Sequence, residues 1–317
     1  LDRSERWWQI YRAPYEPEFH STTFVAERTI AFIEEAVGQE KPFLAWASFP
    51  DPHHPMTPPG AWFDRHNPDD MPVPDSIDDP SDYMPHHLKE AHRRHPRDQR
   101  FWVQPCGVGG DHAVVREAIS ATYGMIEMID DAIGRVVSTL DRLGQIEDTI
   151  IVFTSDHGDM MGEHGLMLKG YMPFRGTQQI PLLISAPKCL PGRTDSLASS
   201  MDLGPTLMDL CGIDAYDGIQ GVSLAPILDD PSASVRDHVL IEEDFPDFLA
   251  SVTSTPSKTR TLVTRDTRYT RNSDGHEMMF DKITDRDERR EITNSDQPRR
   301  SEMLERLTDA LIASADA

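Results

Sequence analysis

The pattern of hydrophobic and polar positions before residue 235 predicts helices and strands in alternation. Apolar residues recur at helical spacing in three segments, and the predicted helices are 24–38, 117–144 and 202–212. Short, continuous apolar runs predict buried strands at 41–49, 148–159 and 179–187, the second of which runs into a polar turn. This alternation indicates an α/β fold, with a sheet covered by helices on both faces.

Between Pro50 and Arg100 the chain is rich in proline, aspartate and histidine and shows no hydrophobic periodicity. This composition predicts a long excursion over the protein surface. Loops of this length are often functional, so this segment is a place to look for chemistry.

The last part of the chain has a different pattern, of shorter segments with strand character. Residues 238–244, 259–271 and 276–285 predict antiparallel strands, and residues 298–315 predict a closing helix. We therefore divide the chain into a larger α/β part, residues 1–235, and a small C-terminal α+β subdomain, residues 236–317.

Composition and charge narrow the classes of function. The 317 residues carry a net charge of −23, which argues against nucleic acids and anionic membrane surfaces as partners. No apolar run approaches the ~18 residues that cross a bilayer. Three cysteines at irregular spacing suggest neither a disulfide framework nor a zinc ribbon. A protein this acidic needs a local positive site if it acts on an anion.

The strongest chemical signal is "TSDHGD" at the end of the predicted strand 148–159. Open α/β sheets bind ligands at the carboxyl ends of their strands, and Gly158 permits a sharp turn there. Asp156 and His157 could then both reach one metal ion. The alternative is a capping aspartate and a surface histidine on an ordinary loop.

Two further segments carry candidate residues. In "SFPDPHHPMTPP" (48–59), His53 lies between prolines that would present its imidazole rigidly, and imidazole exchanges protons near neutral pH. In "GEHGLMLKGYMPF" (162–174), Lys169 could donate to a bound anion. The alternatives are an exposed histidine in a proline-rich loop and an ordinary solvated lysine.

Taken in order, these segments resemble the sulfatase family of the alkaline phosphatase superfamily. The most specific match is "DTIIVFTSDHGDMMGEHGLMLKG" (148–170), and other matching segments include "PFLAWASFPDPHHPMTPP", "SMDLGPTLMDLCGI" and "HEMMFDKITDRDERREITN". The resemblance implies a mostly parallel sheet sandwiched by helices, as in alkaline phosphatase, plus a small C-terminal antiparallel sheet with a helix. It also implies hydrolysis of a small anionic sulfate ester.

The resemblance assigns roles to individual residues. Asp156 and His157 match two ligands of a divalent cation, calcium first and manganese second, that holds the sulfate oxygens. His53 matches a histidine on the leaving-group side of the ester, and Lys169 matches a lysine that neutralises developing negative charge. His164 occupies a position at which family members line the pocket.

Family members also carry an N-terminal segment with a tandem aspartate pair and a Cys/Ser-x-Pro-Ser-Arg motif, whose cysteine becomes the formylglycine nucleophile. Neither is recognisable before His53. The tandem pairs Asp130-Asp131 and Asp78-Asp79 are interpreted as solvated charges. We therefore expect the chain to represent the larger, C-terminal portion of a sulfatase, with the formylglycine upstream, and to be inactive alone.

"CLPGR" (189–193) contains Cys-x-Pro-x-Arg, but it follows the predicted metal turn, whereas the family nucleophile precedes it. Gly192 also replaces the usual serine, so Cys189 is interpreted as a chance match and not as a nucleophile. Two alternatives to a sulfatase remain. One is a phosphonate monoester or phosphodiester hydrolase, which shares these motifs, and the other is a non-catalytic fragment or pseudoenzyme.

Overall fold

The computed structural model describes residues 3–79, 82–98, 106–245 and 258–315. These residues form two compact units. The first unit lies within Leu1–Asp78, His92–Ile151 and Met161–Leu168, and the second lies within Asp79–Ala91, Val152–Met160 and Lys169–Ala317. The predicted division at residue 235 stays a prediction.

The described elements belong to the mixed α/β class, as predicted. The α-helices are α1 (Ser21–Gly38), α2 (His86–His92), α3 (His112–Arg142), α4 (Arg175–Gln178), α5 (Leu203–Leu210), α6 (Ala225–Asp229) and α7 (Gln297–Ala315). The β-strands are β1 (Cys106–Gly107), β2 (Ile151–Thr154), β3 (Leu166–Met167), β4 (Leu182–Ser185), β5 (His238–Asp244), β6 (Lys258–Thr264), β7 (Thr267–Asn272) and β8 (Glu277–Asp281). None of the helices in these ranges combines the length and apolar character needed to cross a lipid bilayer.

The first unit is organised around α3, which packs against α1. Its buried face includes Ile119, Ile129 and Leu140, which recur at helical spacing, whereas Ile126 is 45% exposed. Small residues and methionines share this buried face: Ala118, Ala121, Met125, Met128 and Ala132. Small side chains let neighbouring backbone approach closely. A Cβ on Gly124 would lie 2.3 Å from the carbonyl oxygen of Trp62.

The predicted buried strand at 41–49 was wrong. In the described structure this segment pairs with no strand, and the side chains of Leu44 and Trp46 are 81% and 84% exposed. An apolar run signals burial, but it becomes a strand only beside a partner that supplies hydrogen bonds. The segment 41–49 is hydrophobic, but the strand predicted from that hydrophobicity does not form.

The predicted surface excursion from Pro50 to Arg100 was also wrong for much of its length. Met56 and Ile77 are buried in the core of the first unit. Met84 and Leu88, in the second unit, are 0% and 1% exposed. Isolated apolar residues anchor this segment, most of which lies outside helices and strands, so no hydrophobic periodicity predicted their burial.

β2 and β4 form a two-stranded sheet. The predicted strands exist, but their burial is only partial, since Phe153 is 40% and Leu183 is 61% exposed. β2 ends at Thr154, whose hydroxyl donates to the carbonyl oxygen of Pro181 at 2.9 Å. This contact ties the end of β2 to the chain just before β4.

The C-terminal part of the second unit confirms the predicted antiparallel strands and closing helix. β5, β6, β7 and β8 pair antiparallel in chain order. α7 covers this sheet, and their shared core consists of Leu262, Tyr269, Met279, Met303, Leu307 and Ala310. Burial of these apolar side chains is the main force that holds the helix on the sheet.

Candidate active site

The turn after β2 presents Asp156 and His157 side by side in the second unit. The Asp156 carboxylate accepts the backbone N–H of His157 at 2.9 Å, and the Ser155 hydroxyl donates to the His157 carbonyl at 2.9 Å. Desolvation opposes ionisation of Asp156, but the N–H of His157, the positive charge that the His157 ring carries when protonated and the Ser155 hydroxyl together hold its pKa below the ordinary value. The ionised form of the Asp156 carboxylate is therefore favoured, and this form could bind a cation.

The ring of His157 is held by a hydrogen bond to the neighbouring backbone. Its Nδ1 lies 2.9 Å from the carbonyl oxygen of Gly158. Since a carbonyl only accepts, Nδ1 carries a proton, and in the neutral imidazole Nε2 keeps its lone pair. Nε2 lies 3.5 Å from Asp156 Oδ2.

That spacing fits two neighbouring ligands of one cation. With bonds of about 2.3–2.6 Å, ligands at right angles lie about 3.3–3.7 Å apart. Within the described ranges, no group of three or more histidine, cysteine, aspartate or glutamate side chains is arranged to hold a metal. The metal-ligand role of Asp156 and His157 stays a prediction.

Lys169 lies within electrostatic reach of this turn. Partial burial lowers the pKa of its ammonium group, and the carboxylates of Asp159 and Asp156 oppose that shift. The neighbours of Lys169 in the chain, Leu168 and Tyr171, have φ values of 70° and 54°, in the left-handed region. Strained backbone of this kind is concentrated at functional sites.

Gly158 lets the turn pack tightly against α4. Its N–H donates to the carbonyl oxygen of Thr177 at 2.8 Å, and a Cβ at this position would lie 1.9 Å from the carbonyl oxygen of Gly176. The sequence pointed to Gly158 as the residue that permits a sharp turn. The structure gives it a second reason, which is close backbone approach.

We expect Gly158→Ala to destabilise the protein by about 1–3 kcal/mol, because backbone atoms must move to admit the methyl group. Gly134→Ala is the matched control, since a Cβ there meets nothing within 4 Å. Gly134 lies within α3, so alanine should stabilise by about 0.5–1 kcal/mol. Urea unfolding of both variants measures the difference, and equal unfolding midpoints would contradict the close approach at Gly158.

His53 lies in the first unit, on an exposed loop. Its N–H donates to the Pro50 carbonyl at 3.1 Å, and its Nδ1 contacts the carbonyl oxygen of His54. By the argument used for His157, Nδ1 donates and Nε2 is the nitrogen left to exchange a proton. The two histidine rings stack, with centroids 4.0 Å apart.

Sequence reasoning missed what anchors the His53 loop. The Thr22 hydroxyl donates to Asp51 Oδ2 at 3.0 Å, and the buried His20 ring lies 3.6 Å from the same oxygen. Burial raises the pKa of Asp51, against the opposing effects of His20 and Thr22. The only sequence signal was Asp51, two positions before His53. Nothing in the local sequence identified the distant residues with which Asp51 interacts.

His164 also lies in the first unit and is 1% exposed, with a φ of 53°. Its N–H donates to the Ser76 hydroxyl at 3.0 Å, and its carbonyl accepts from the half-buried His92 ring. Its backbone thus ties two segments of the first unit together. Its role in lining a pocket stays a prediction.

The structure also shows the surroundings of the tandem aspartate pairs and of Cys189. Asp130 and Asp131 are exposed on α3. Asp78 is exposed and pairs with His112 at 3.0 Å. The interpretation of Asp79 as a solvated charge was wrong, because its side chain is 12% exposed and forms two hydrogen bonds with Arg289, at 2.6 and 2.7 Å. Cys189 is a partly exposed free thiol in the loop after β4.

Comparisons with known proteins extend these observations. The sulfatase family model matches residues 3–213, and the model of the N-sulphoglucosamine sulphohydrolase C-terminal region matches residues 162–316. An arylsulfatase of Clostridium perfringens is 33% identical over 236 residues, which cover 73% of this chain and 46% of the relative. The chain thus spans about half the length of curated relatives that it matches.

Two solved structures share the fold. A phosphonate monoester hydrolase from Silicibacter pomeroyi has a TM-score of 0.79 at 24% identity, over 96% of this chain and 62% of that chain. A protein in complex with its substrate D-glucosamine-2-N,6-O-disulfate has a TM-score of 0.75 at 21% identity, over 94% of this chain and 70% of that one. Because the family model covers well over half of its residues, the chain belongs to the sulfatase family.

Proposed function

We propose that the intact protein hydrolyses sulfate esters and that this chain supplies the metal-binding turn, the charge-stabilising lysine and the leaving-group histidine. The observation that carries the proposal is the Asp156–His157 turn, where a carboxylate oxygen of Asp156 and Nε2 of His157 lie 3.5 Å apart. The family match and the arylsulfatase relative support sulfate as the transferred group.

Asp156 and His157 would hold a divalent cation, which when bound supplies positive charge to the sulfate oxygens. We keep calcium as the first choice and manganese as the second. Calcium prefers oxygen donors, whereas the imidazole of His157 suits manganese better. Elemental analysis of the purified intact protein would decide between them.

The chain's own residues then act on the ester. Lys169 donates to a sulfate oxygen, where negative charge accumulates as the bond to the leaving group breaks. Partial burial of Lys169 strengthens this interaction, because water screens it less. His53, when protonated at Nε2, donates to the departing oxygen of the leaving group.

The nucleophile would come from outside these 317 residues. Cys189 lies in an ordinary loop, and its sequence context lacks the serine of the family motif. We infer that a formylglycine in a further segment attacks the sulfur. On this view the chain alone does not turn over.

A second candidate is hydrolysis of phosphonate monoesters or phosphodiesters, favoured by the fold shared with the Silicibacter pomeroyi enzyme. The test is to assay the product of the complete coding region on 4-nitrophenyl sulfate, 4-nitrophenyl phenylphosphonate and bis(4-nitrophenyl) phosphate. We expect the highest kcat/KM for the sulfate. A higher value for the phosphonate or the phosphodiester would replace the proposal, and no turnover of any ester would favour the non-catalytic alternative.

A further inference from the structure

A buried ion pair in the second unit joins β7 to the segment that follows β8. The side chains of Arg268 and Glu288 are 4% and 1% exposed, and Arg268 Nε donates to Glu288 Oε1. Glu288 also has a φ of 55°, in the left-handed region. Burying two charges costs solvation that their attraction offsets only in part, and the backbone conformation adds a further cost. A contribution to folding stability is therefore a poor explanation for the burial of this ion pair.

Both partners of the pair also reach α4. Glu288 Oε2 accepts the backbone N–H of Arg175 at 2.8 Å, at the start of α4. Arg268 Nη1 donates to the side-chain oxygen of Gln178, at the end of α4. A four-residue helix is too short to be stable by its own hydrogen bonds. The pair therefore secures both ends of α4.

α4 in turn holds the metal-binding turn. The carbonyl of Thr177 accepts the N–H of Gly158 at 2.8 Å, and the backbone of Gly176 lies against Gly158. The carbonyl of Gly158 accepts the proton of His157 Nδ1 at 2.9 Å. A shift of α4 would thus loosen the contact that turns the lone pair of His157 Nε2 toward Asp156.

We propose that Arg268 and Glu288 are positioning residues, which act through α4 to hold Gly158 and the ring of His157 in the orientation for metal binding. The part of this proposal that concerns metal rests on the proposed function. The part that concerns the hydrogen bond of Gly158 does not.

Glu277 provides a matched control on the same four-stranded sheet. Its carboxylate is 8% exposed and accepts from Arg271 and Arg300, so it is also a largely buried acid between two arginines. These contacts join β7, β8 and α7. They do not involve α4.

The experiment compares Glu288→Gln with Glu277→Gln in the intact protein. Hydrogen–deuterium exchange with fragmentation reports on the Gly158 amide, calorimetry on the affinities for Ca²⁺ and Mn²⁺, and thermal unfolding on overall stability. We expect E288Q to speed exchange at Gly158 by roughly tenfold, the effect of about one lost hydrogen bond. Mn²⁺ affinity should fall by about 10–100-fold. E277Q should change the exchange rate at Gly158 and the metal affinity only by the amounts expected from its change in unfolding temperature.

Equal effects of the two variants at matched stability would show that the pair is purely structural and would overturn the proposal. If E288Q does not fold, Gln178→Ala removes the contact at the other end of α4, and unchanged exchange at Gly158 in that variant would overturn it instead. Faster exchange at Gly158 in a protein whose wild type binds neither Ca²⁺ nor Mn²⁺ would keep the positioning role and refute the proposed metal site.

Discussion

Replacing Asp156 with alanine is expected to remove divalent-metal binding and turnover from the intact protein together. Asp156 supplies the anionic oxygen of the turn, and its partner His157 is neutral when Nε2 keeps its lone pair. A neutral imidazole alone holds a hard cation weakly. Metal content per protein and kcat/KM on the sulfate ester are the two measurements.

The loss should come from the ligand and not from unfolding, because the Asp156 side chain is 83% exposed. Asp156→Asn is the sharper variant, since the amide oxygen can still accept the N–H of His157 while the charge is lost. Asp130→Ala is the control, as it removes an exposed carboxylate from α3. Full metal occupancy in D156A or D156N would refute the assignment of Asp156 as a ligand.

Lys169→Ala is expected to lower kcat by about 10²–10³ while leaving metal content unchanged. The expected loss is that of a single preorganised donor to the oxygens where charge develops. Half-buried Lys169 lies near Asp156 and Asp159, whose carboxylates keep an ammonium group favourable there despite burial. Single-turnover kinetics on the sulfate ester, with metal analysis of the same samples, would measure both effects.

Lys169→Arg tests the shape of the donor, because the planar guanidinium keeps the charge but cannot replace a compact ammonium group at a confined site. We expect it to recover only part of the rate. Lys41→Ala, an exposed lysine after α1, is the control. A kcat within twofold of wild type for K169A would exclude Lys169 from charge stabilisation, whereas loss of metal would make it a structural residue.

These two predictions separate the roles within one turn. D156A removes metal and rate together, whereas K169A removes rate alone. Because Lys169 and Asp156 interact electrostatically, the double variant need not show additive effects. The comparison of metal content between the variants therefore distinguishes their roles better than activity does.

The family and its local motifs could be predicted from sequence because they depend on neighbouring residues. The turn at Asp156 and His157 follows a strand rich in β-branched residues and precedes Gly158. Its internal hydrogen bonds lie within four consecutive residues. The C-terminal strands and α7 were also predicted, since periodic apolar patterns determine which face of each element is buried.

The segments without periodicity were predicted poorly. The apolar run at 41–49 indicated a strand, but strand structure requires a partner, and Trp46 is 84% exposed. Met84, among prolines and aspartates, gave no signal, yet it is fully buried. In both cases the outcome depends on whether distant segments pack against the residues, which the local pattern does not contain.

The sequence by itself determined the sulfatase family, the candidate ligands Asp156 and His157 and the candidate donors His53 and Lys169. Only the tertiary structure decided how the turn is held, through Thr177 in α4 and the buried pair of Arg268 and Glu288 behind it. Arg175 and Glu288 are 113 positions apart in the chain. A turn is defined by hydrogen bonds between near neighbours, whereas a buried ion pair forms only after folding has brought distant segments together and excluded water.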